Sequence, residues 1–363
     1  MRFLCLVALL LSIPLGALTL SADERDELSR DLARWQTKFG HDDHVRTAMA
    51  MVRGTLSTDD LLWRLKAAKD KLLALQAANP YATFSHLTKF ALLTDNEFSR
   101  LVSGSAPMPR QSLVPPASTN HLNRSAVGGV VIHTVDWTKQ SVCVPPVRHT
   151  GQCRSDWAFA AAAAVSSAHC LATGEAIDLS VQQVLSCTSP GGYDGCWHGM
   201  DYPGMKWLVS QPNALCSRSA IPYTSGTTGL ARHCSDNSKC AGSISLQVGA
   251  VVEGRGEAFL LDQLRTQPVM AYVSANSDQW RLYVRGILSW CPPTTHVNQA
   301  VLVTGYGAED FGFGSAPLGF FKVRNVWGTA WGEDGDIRLQ RNIDSVFGTC
   351  NVSSRLSYPT LRL

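Results

Sequence analysis

Residues 151–164 read GQCRSDWAFAAAAA. The stretch changes character in its middle: small and polar up to Ser155, then a run of alanines carrying Trp157 and Phe159. That composition predicts a helix from Ser155 to about Thr173, closed by Gly174. Asp156 falls in its first turn, where a carboxylate accepts backbone N–H bonds and complements the helix dipole. Further on, Ser180 and Gln183 form a capping box for a second helix, Ser180 to Cys187. The period then changes. QAVLVTGYG (299–307), GFFKVRN (319–325) and GDIRLQR (335–341) read as strands between glycine-bearing turns. A helical half followed by a sheet half predicts an α+β protein of two lobes with a cleft between them.

Upstream, residues 23 to about 100 have another texture. They contain no cysteine and are helical in pattern, as in LSRDLARWQTKFG (28–40) and STDDLLWRLKAAKDKLLALQAANP (57–80). The second run opens with Ser57 or Thr58 as its cap and closes at Asn79-Pro80. Residues 103–131 are rich in Pro and Ser and predict an exposed linker. Residues 1–22 place one basic residue before an apolar run and then small residues, the layout of a signal peptide. The run is too short to span a bilayer, so no membrane insertion is expected. Asn123 and Asn351 head Asn-x-Ser acceptors for glycosylation.

The net charge of +3 lies in the first 130 residues, which hold 15 Lys/Arg and 12 Asp/Glu; the remainder has 17 of each. Such a balance provides no footprint for nucleic acid. Apart from Cys5, the cysteines all lie between Cys143 and Cys350, an even ten that suggests disulfides in an oxidising compartment. Their spacings do not suit zinc, so neither metal nor cofactor is expected. Export to the outside or to an endolysosomal lumen follows.

Taken in order, VDWTKQSVCVPPVRHTGQCRSDWAFAAAAA, DLSVQQVLSC, DGCWHGM, IPYTSG, NQAVLVTGYG and NVWGTAWGEDGDIRL resemble the papain/cathepsin L family of cysteine proteases. The resemblance runs from about Val135 to the C-terminus and implies a papain-like two-lobed domain over 132–363, a helical left lobe and a barrel-like right lobe. Residues 23–102 resemble the family's inhibitory prosegment in eroded form. Asp60, Arg64, Ala68, Lys71, Leu75 and Asn79 stand at its spaced helix positions, and Thr88 and Leu92 replace its usual Asn and Asp. The family frame implies disulfides Cys153–Cys196, Cys187–Cys234 and Cys291–Cys350. Pairing of Cys143, Cys170, Cys216 and Cys240 stays open, with Cys216–Cys240 and Cys143–Cys170 the pairs that would use them up.

The chemistry carried over is incomplete. Such a protease needs a thiolate at a helix N-terminus, an imidazole to move the proton, a group orienting the imidazole, and donors toward the oxyanion. Here the thiol position is Asp156, the imidazole position Gln299 and the oxyanion position Thr150, with Gln152 out of register; only the orienting Asn325 is kept, beside Trp327. An amide does not titrate near neutral pH and is no general base. Ser155, His149 and His296 are the nearest conceivable stand-ins. The substrate wall reads Gly195-Cys196-Trp197-His198-Gly199, so Trp157, Trp197, His198, Gly199 and Trp327 are the expected cleft-binding residues. A bond from the Gln299 amide to the Asp156 carboxylate is expected to join the lobes. The implied function is a pseudoprotease binding a peptide or protein, including its own prosegment. The alternatives are a hydrolase with non-standard residues, and an inhibitor or decoy acting on active relatives.

Overall fold

The computed structural model describes residues 20–50, 54–102, 134–188, 195–196, 204–211, 213–234, 240, 242–294, 296–312 and 316–362. The expected linker at 103–131, with Asn123, lies outside this set, as does nearly all of the expected leader at 1–22.

The leading segment forms α1 (Ala22–Phe39), α2 (Asp43–Ala50), α3 (Thr58–Asp70), α4 (Leu72–Ala78), β1 (Ala82–Phe84) and α5 (Asp95–Val102). Ser21 and Ser57 each cap a helix through a reciprocal box, with Glu24 and Asp60 returning a carboxylate to the cap amide. The run expected to be one helix from Ser57 to Asn79 is two, parted at Lys71. There the lysine serves two carboxylates, Asp95 and Asp278, each at 2.8 Å.

The body forms β2 (Val135–Asp136), α6 (Trp137–Gln140), α7 (Asp156–Thr173), α8 (Val181–Cys187), α9 (Gly204–Ser210) and α10 (Ser225–Thr228). The sheet half follows as β3 (Val248–Gly254), α11 (Glu257–Leu264), β4 (Val269–Val273), α12 (Asp278–Arg281), β5 (Tyr283–Leu288), β6 (Gln299–Glu309), β7 (Leu318–Arg324), β8 (Asp336–Gln340) and β9 (Leu356–Leu361). Helix α7 begins where expected, with Ser155 as cap, and ends at Gly174 with φ 77°, a conformation free of side-chain strain only for glycine. The box at Ser180 is half made. Its hydroxyl accepts from the Gln183 amide, but the Gln183 side chain turns away to bond Ala214 O and Cys216 N. It ties α8 to the 214–216 segment instead of closing its own cap.

The strands run in the order β1-β5-β8-β7-β6-β4-β9-β3. Strands β4 and β6 pair antiparallel, Val269 with Val303 through Val273 with Gln299. Side chains alternate across a strand, and here both faces are covered. Val269, Ala271, Val273, Val301 and Val303 join one core, shared with the leading segment. Met270, Tyr272, Ala300 and Leu302 join the other, shared with α7. This register brings the start of β6 to the N-terminus of α7. At the far edge β1 extends the sheet by pairing with β5, Ala82 opposite Gly286. Gly286 sits at φ 95°, and a Cβ there would collide with the Tyr81 carbonyl.

Disulfides join Cys143–Cys170, Cys153–Cys196, Cys187–Cys234, Cys216–Cys240 and Cys291–Cys350. Four of them brace the helical half, and each contributes about 2–4 kcal/mol.

Candidate functional site

Asp156 is the first residue of α7, and its carboxyl is buried against β6. Oδ2 accepts from the Ala300 amide at 2.5 Å, a bond that crosses from the helical half to the sheet. Burial raises its pKa from 3.8 to about 7, opposed by the Ala300 amide, by the amides of Asp156 and Trp157, and by the charge of Arg154. The helix terminus holds the group, yet leaves its charge and its neutral form nearly balanced near pH 7.

Gln299 does not reach it. Its Nε2 donates to Asn325 Oδ1 at 3.1 Å and, more weakly, to Ala300 O at 3.5 Å. The bond expected between Gln299 and Asp156 is therefore absent, because Asn325 takes the amide and the next backbone N–H takes the carboxylate. Asn325 Oδ1 also accepts from the Val326 amide at 2.8 Å. Thr150 is buried in a backbone role. Its N–H donates to Val326 O at 3.1 Å and its carbonyl accepts from Tyr223 Oη at 2.7 Å.

The stand-in residues are engaged elsewhere. Ser155 Oγ lies 2.6 Å from Tyr223 Oη and 3.4 Å from Cys153 O, with no imidazole among its partners. His149 forms a backbone bridge with Trp327, and burial, then the charge of Lys89, lowers its pKa. His296 is exposed. All ten cysteines from Cys143 to Cys350 are in disulfides, so no thiol is present among the described residues. Nor is there, among them, a group of three His, Cys, Asp or Glu side chains placed to hold a metal.

Two expected cleft residues need correction. Trp157 is a core residue of the helical half, 1% exposed, its Nε1 donating to Gly195 O at 3.3 Å. Trp327 does face the leading segment, but it is already covered. Phe90 and Phe98 meet it edge-on at 5.5 and 5.6 Å, and Trp280 and Trp331 enclose the other sides. Trp197, His198 and Gly199 lie outside the described residues. Asn351, the other expected glycan acceptor, is partly exposed, and its Nδ2 donates to Ser274 Oγ at 2.9 Å and Thr294 O at 2.8 Å.

Sequence reading missed Lys89. It is a prosegment-region lysine whose side chain is 1% exposed, reaching Trp327 O at 2.7 Å and Asp42 at 3.2 Å. Burial lowers its pKa against the pull of Asp42. A lone lysine within the apolar TKFALL was the available signal. Around it the leading segment is tied to the body: Thr88 Oγ1 to Arg281 O, Arg281 to Leu93 O, and Asn79 Oδ1 accepting the Ser289 and Trp290 amides at 3.1 and 2.7 Å.

A family model described as papain family cysteine protease matches residues 131–360. Among curated proteins the chain is 33% identical over 285 residues to cysteine proteinase COT44 of Brassica napus, covering 77% of this chain and 82% of that one. It is 28% identical to ananain of Ananas comosus over 348 residues, covering 94% and 91%. Among solved structures, the ragweed pollen allergen Amb a 11 cysteine protease in its proform superposes with a TM-score of 0.71 at 22% identity, covering 94% and 96%. Recombinant stem bromelain precursor superposes at 0.69 and 25% identity, covering 93% and 100%.

Proposed function

From the premise that the chain belongs to the papain family of cysteine proteases, we propose that it is a member without peptidase activity, which acts by binding peptide or protein ligands. One observation carries this reading. The helix N-terminus that the family uses for a thiol holds a buried carboxyl bonded to a strand amide, in a body whose described cysteines are all in disulfides. The proton-transfer position supports it as well, since the Gln299 amide is occupied by Asn325. A hydrolase built on Asp156 would use its poise near pH 7. That alternative lacks a partner base among the described residues, where no imidazole or second carboxylate bonds Asp156, and the group is only 5% exposed.

Such a protein cannot remove its own prosegment, which then persists unless another protease cuts it. In the structure it shares a core with the sheet, adds β1 to its edge and covers Trp327, which supports its retention as a working part of the protein. Secretion or delivery to an endolysosomal lumen agrees with the leader and the disulfides. The test is digestion of a peptide library by purified protein, read by mass spectrometry, beside the D156A and S155A variants. The reading expects no cleavage by any of the three. Cleavage by the wild type that either substitution removes would establish the hydrolase in its place.

A further inference from the structure

A cavity of about 760 Å³ opens between α2 of the prosegment and the body, with Gly151 and Gln152 in its wall. That size lies in the range of ligand sites. Three guanidinium groups line it: Arg46 from α2, Arg148 from the segment before α7, and Arg218 from the loop after Cys216. The carboxylates beside them are fewer. Asp43 pairs with Arg46. Asp178 alone faces the other two, 3.0 Å from Arg148 and 3.7 Å from Arg218. At 3.7 Å there is no hydrogen bond, so Arg218, with its side chain 51% exposed, has no carboxylate at bonding distance among the described residues. A planar fork of donors in this setting suits a carboxylate from outside. The rest of the wall is not ionic apart from His149, whose pKa burial lowers. Phe159 and Tyr223 stand edge to face at 4.9 Å, with Gln152 near them.

We propose that this cavity binds an acidic peptide segment, a Glu or Asp carboxylate taken by Arg218 and Arg148 while a neighbouring side chain packs on Tyr223, which the buried Phe159 backs. The proposal rests on the reading of the protein as a peptide binder and names the peptide class. A sulfated glycan shares the negative charge, but two guanidinium groups that already face Asp178 offer little to a polyanion, so the peptide is favoured.

The test uses the full chain with its prosegment and a fluorescein-labelled Gly-Glu-Phe-Glu-Gly peptide, followed by fluorescence anisotropy at pH 7 and low salt. Binding at least about tenfold tighter than to the glutamine isostere is expected, with a loss of about tenfold or more in R218E and none in R265E, a surface charge reversal away from the cavity. Equal affinity for the two peptides, or an R218E protein that melts normally and binds normally, overturns the site. Binding of a heparin-derived tetrasaccharide but of neither peptide also overturns it. The recovered peptide is then weighed. Cleavage together with Arg218-dependent binding would leave the site standing and sink the reading of an inactive protein, whereas intact peptide with Arg218-independent binding sinks the site alone.

Discussion

Two seams meet at β6 and Trp327, and they are built differently. Between α7 and β6 the bonds are short-range and largely main-chain: Asp156 Oδ2 accepts from the Ala300 amide, Asn325 Oδ1 from the Val326 amide and Gln299 Nε2, and Thr150 is tied through its own carbonyl and N–H. Between prosegment and body, long side chains reach across: Lys89 to Trp327 O, Arg281 to Leu93 O, and Arg281 to Asp95 at 3.0 Å. The first seam immobilises groups that a peptidase would need to move. The second spends buried charge and aromatic area on keeping an attached segment in place. Under the reading proposed above, both seams serve cohesion and not turnover.

Removing the shared anchor should break the comparison most severely. Trp327→Ala opens a hole under both seams and is expected to cost about 3–5 kcal/mol, read as a lowered midpoint in denaturant. An unchanged midpoint would show that Trp327 is not packed as described.

Next comes acidity. In the fold Asp156 holds its proton up to about pH 7, but in the unfolded chain only to about 3.8. Between those values the folded state binds more protons, so this group's contribution is fully present below about pH 4 and is lost as pH rises to 7. The loss is on the order of 4 kcal/mol at most, and Asp156→Asn should flatten that part of the stability curve. A wild-type curve equally flat there would contradict the burial of the carboxyl.

A smaller effect separates the partners of the prosegment seam. Asp42→Ala leaves the Lys89 ammonium short of a counter-charge and should cost about 1–3 kcal/mol, while Lys89→Met, which removes the charge from the same enclosed position, should cost less. The reverse order would mean that Lys89 is held by the Trp327 carbonyl alone. Smallest is Gln299→Ala, which leaves Asp156 bonded to Ala300 and should cost about 1 kcal/mol, with no change in the pH profile. A profile altered by this variant would restore the Asp156–Gln299 contact.

Much of the fold was legible because it rests on local pattern. The alanine run with Gly174, the apolar run after Gln299 and the caps at Ser57 and Ser180 speak within a few residues of themselves. The partners of the site residues were less so. Whether Asp156 meets a side chain or a main-chain N–H depends on the register of β6 against β4, which brings Ala300, not the Gln299 side chain, to the helix terminus. Trp157 was read as groove lining because it adjoins Asp156 in sequence, although one step along a helix turns it into the core. Lys89 resisted reading for a related reason: its counter-charge is Asp42, 47 residues away, and its acceptor Trp327 O, 238 away.

The central claim is tested most directly by the intact mass of the secreted, non-reduced protein after incubation with a peptidyl epoxide that alkylates active-site thiols, beside D156C as positive control. The account predicts no mass gain in the wild type, since the helix terminus offers a carboxyl held by β6 and the sulfurs are bridged. One stoichiometric adduct on the wild-type chain would contradict it.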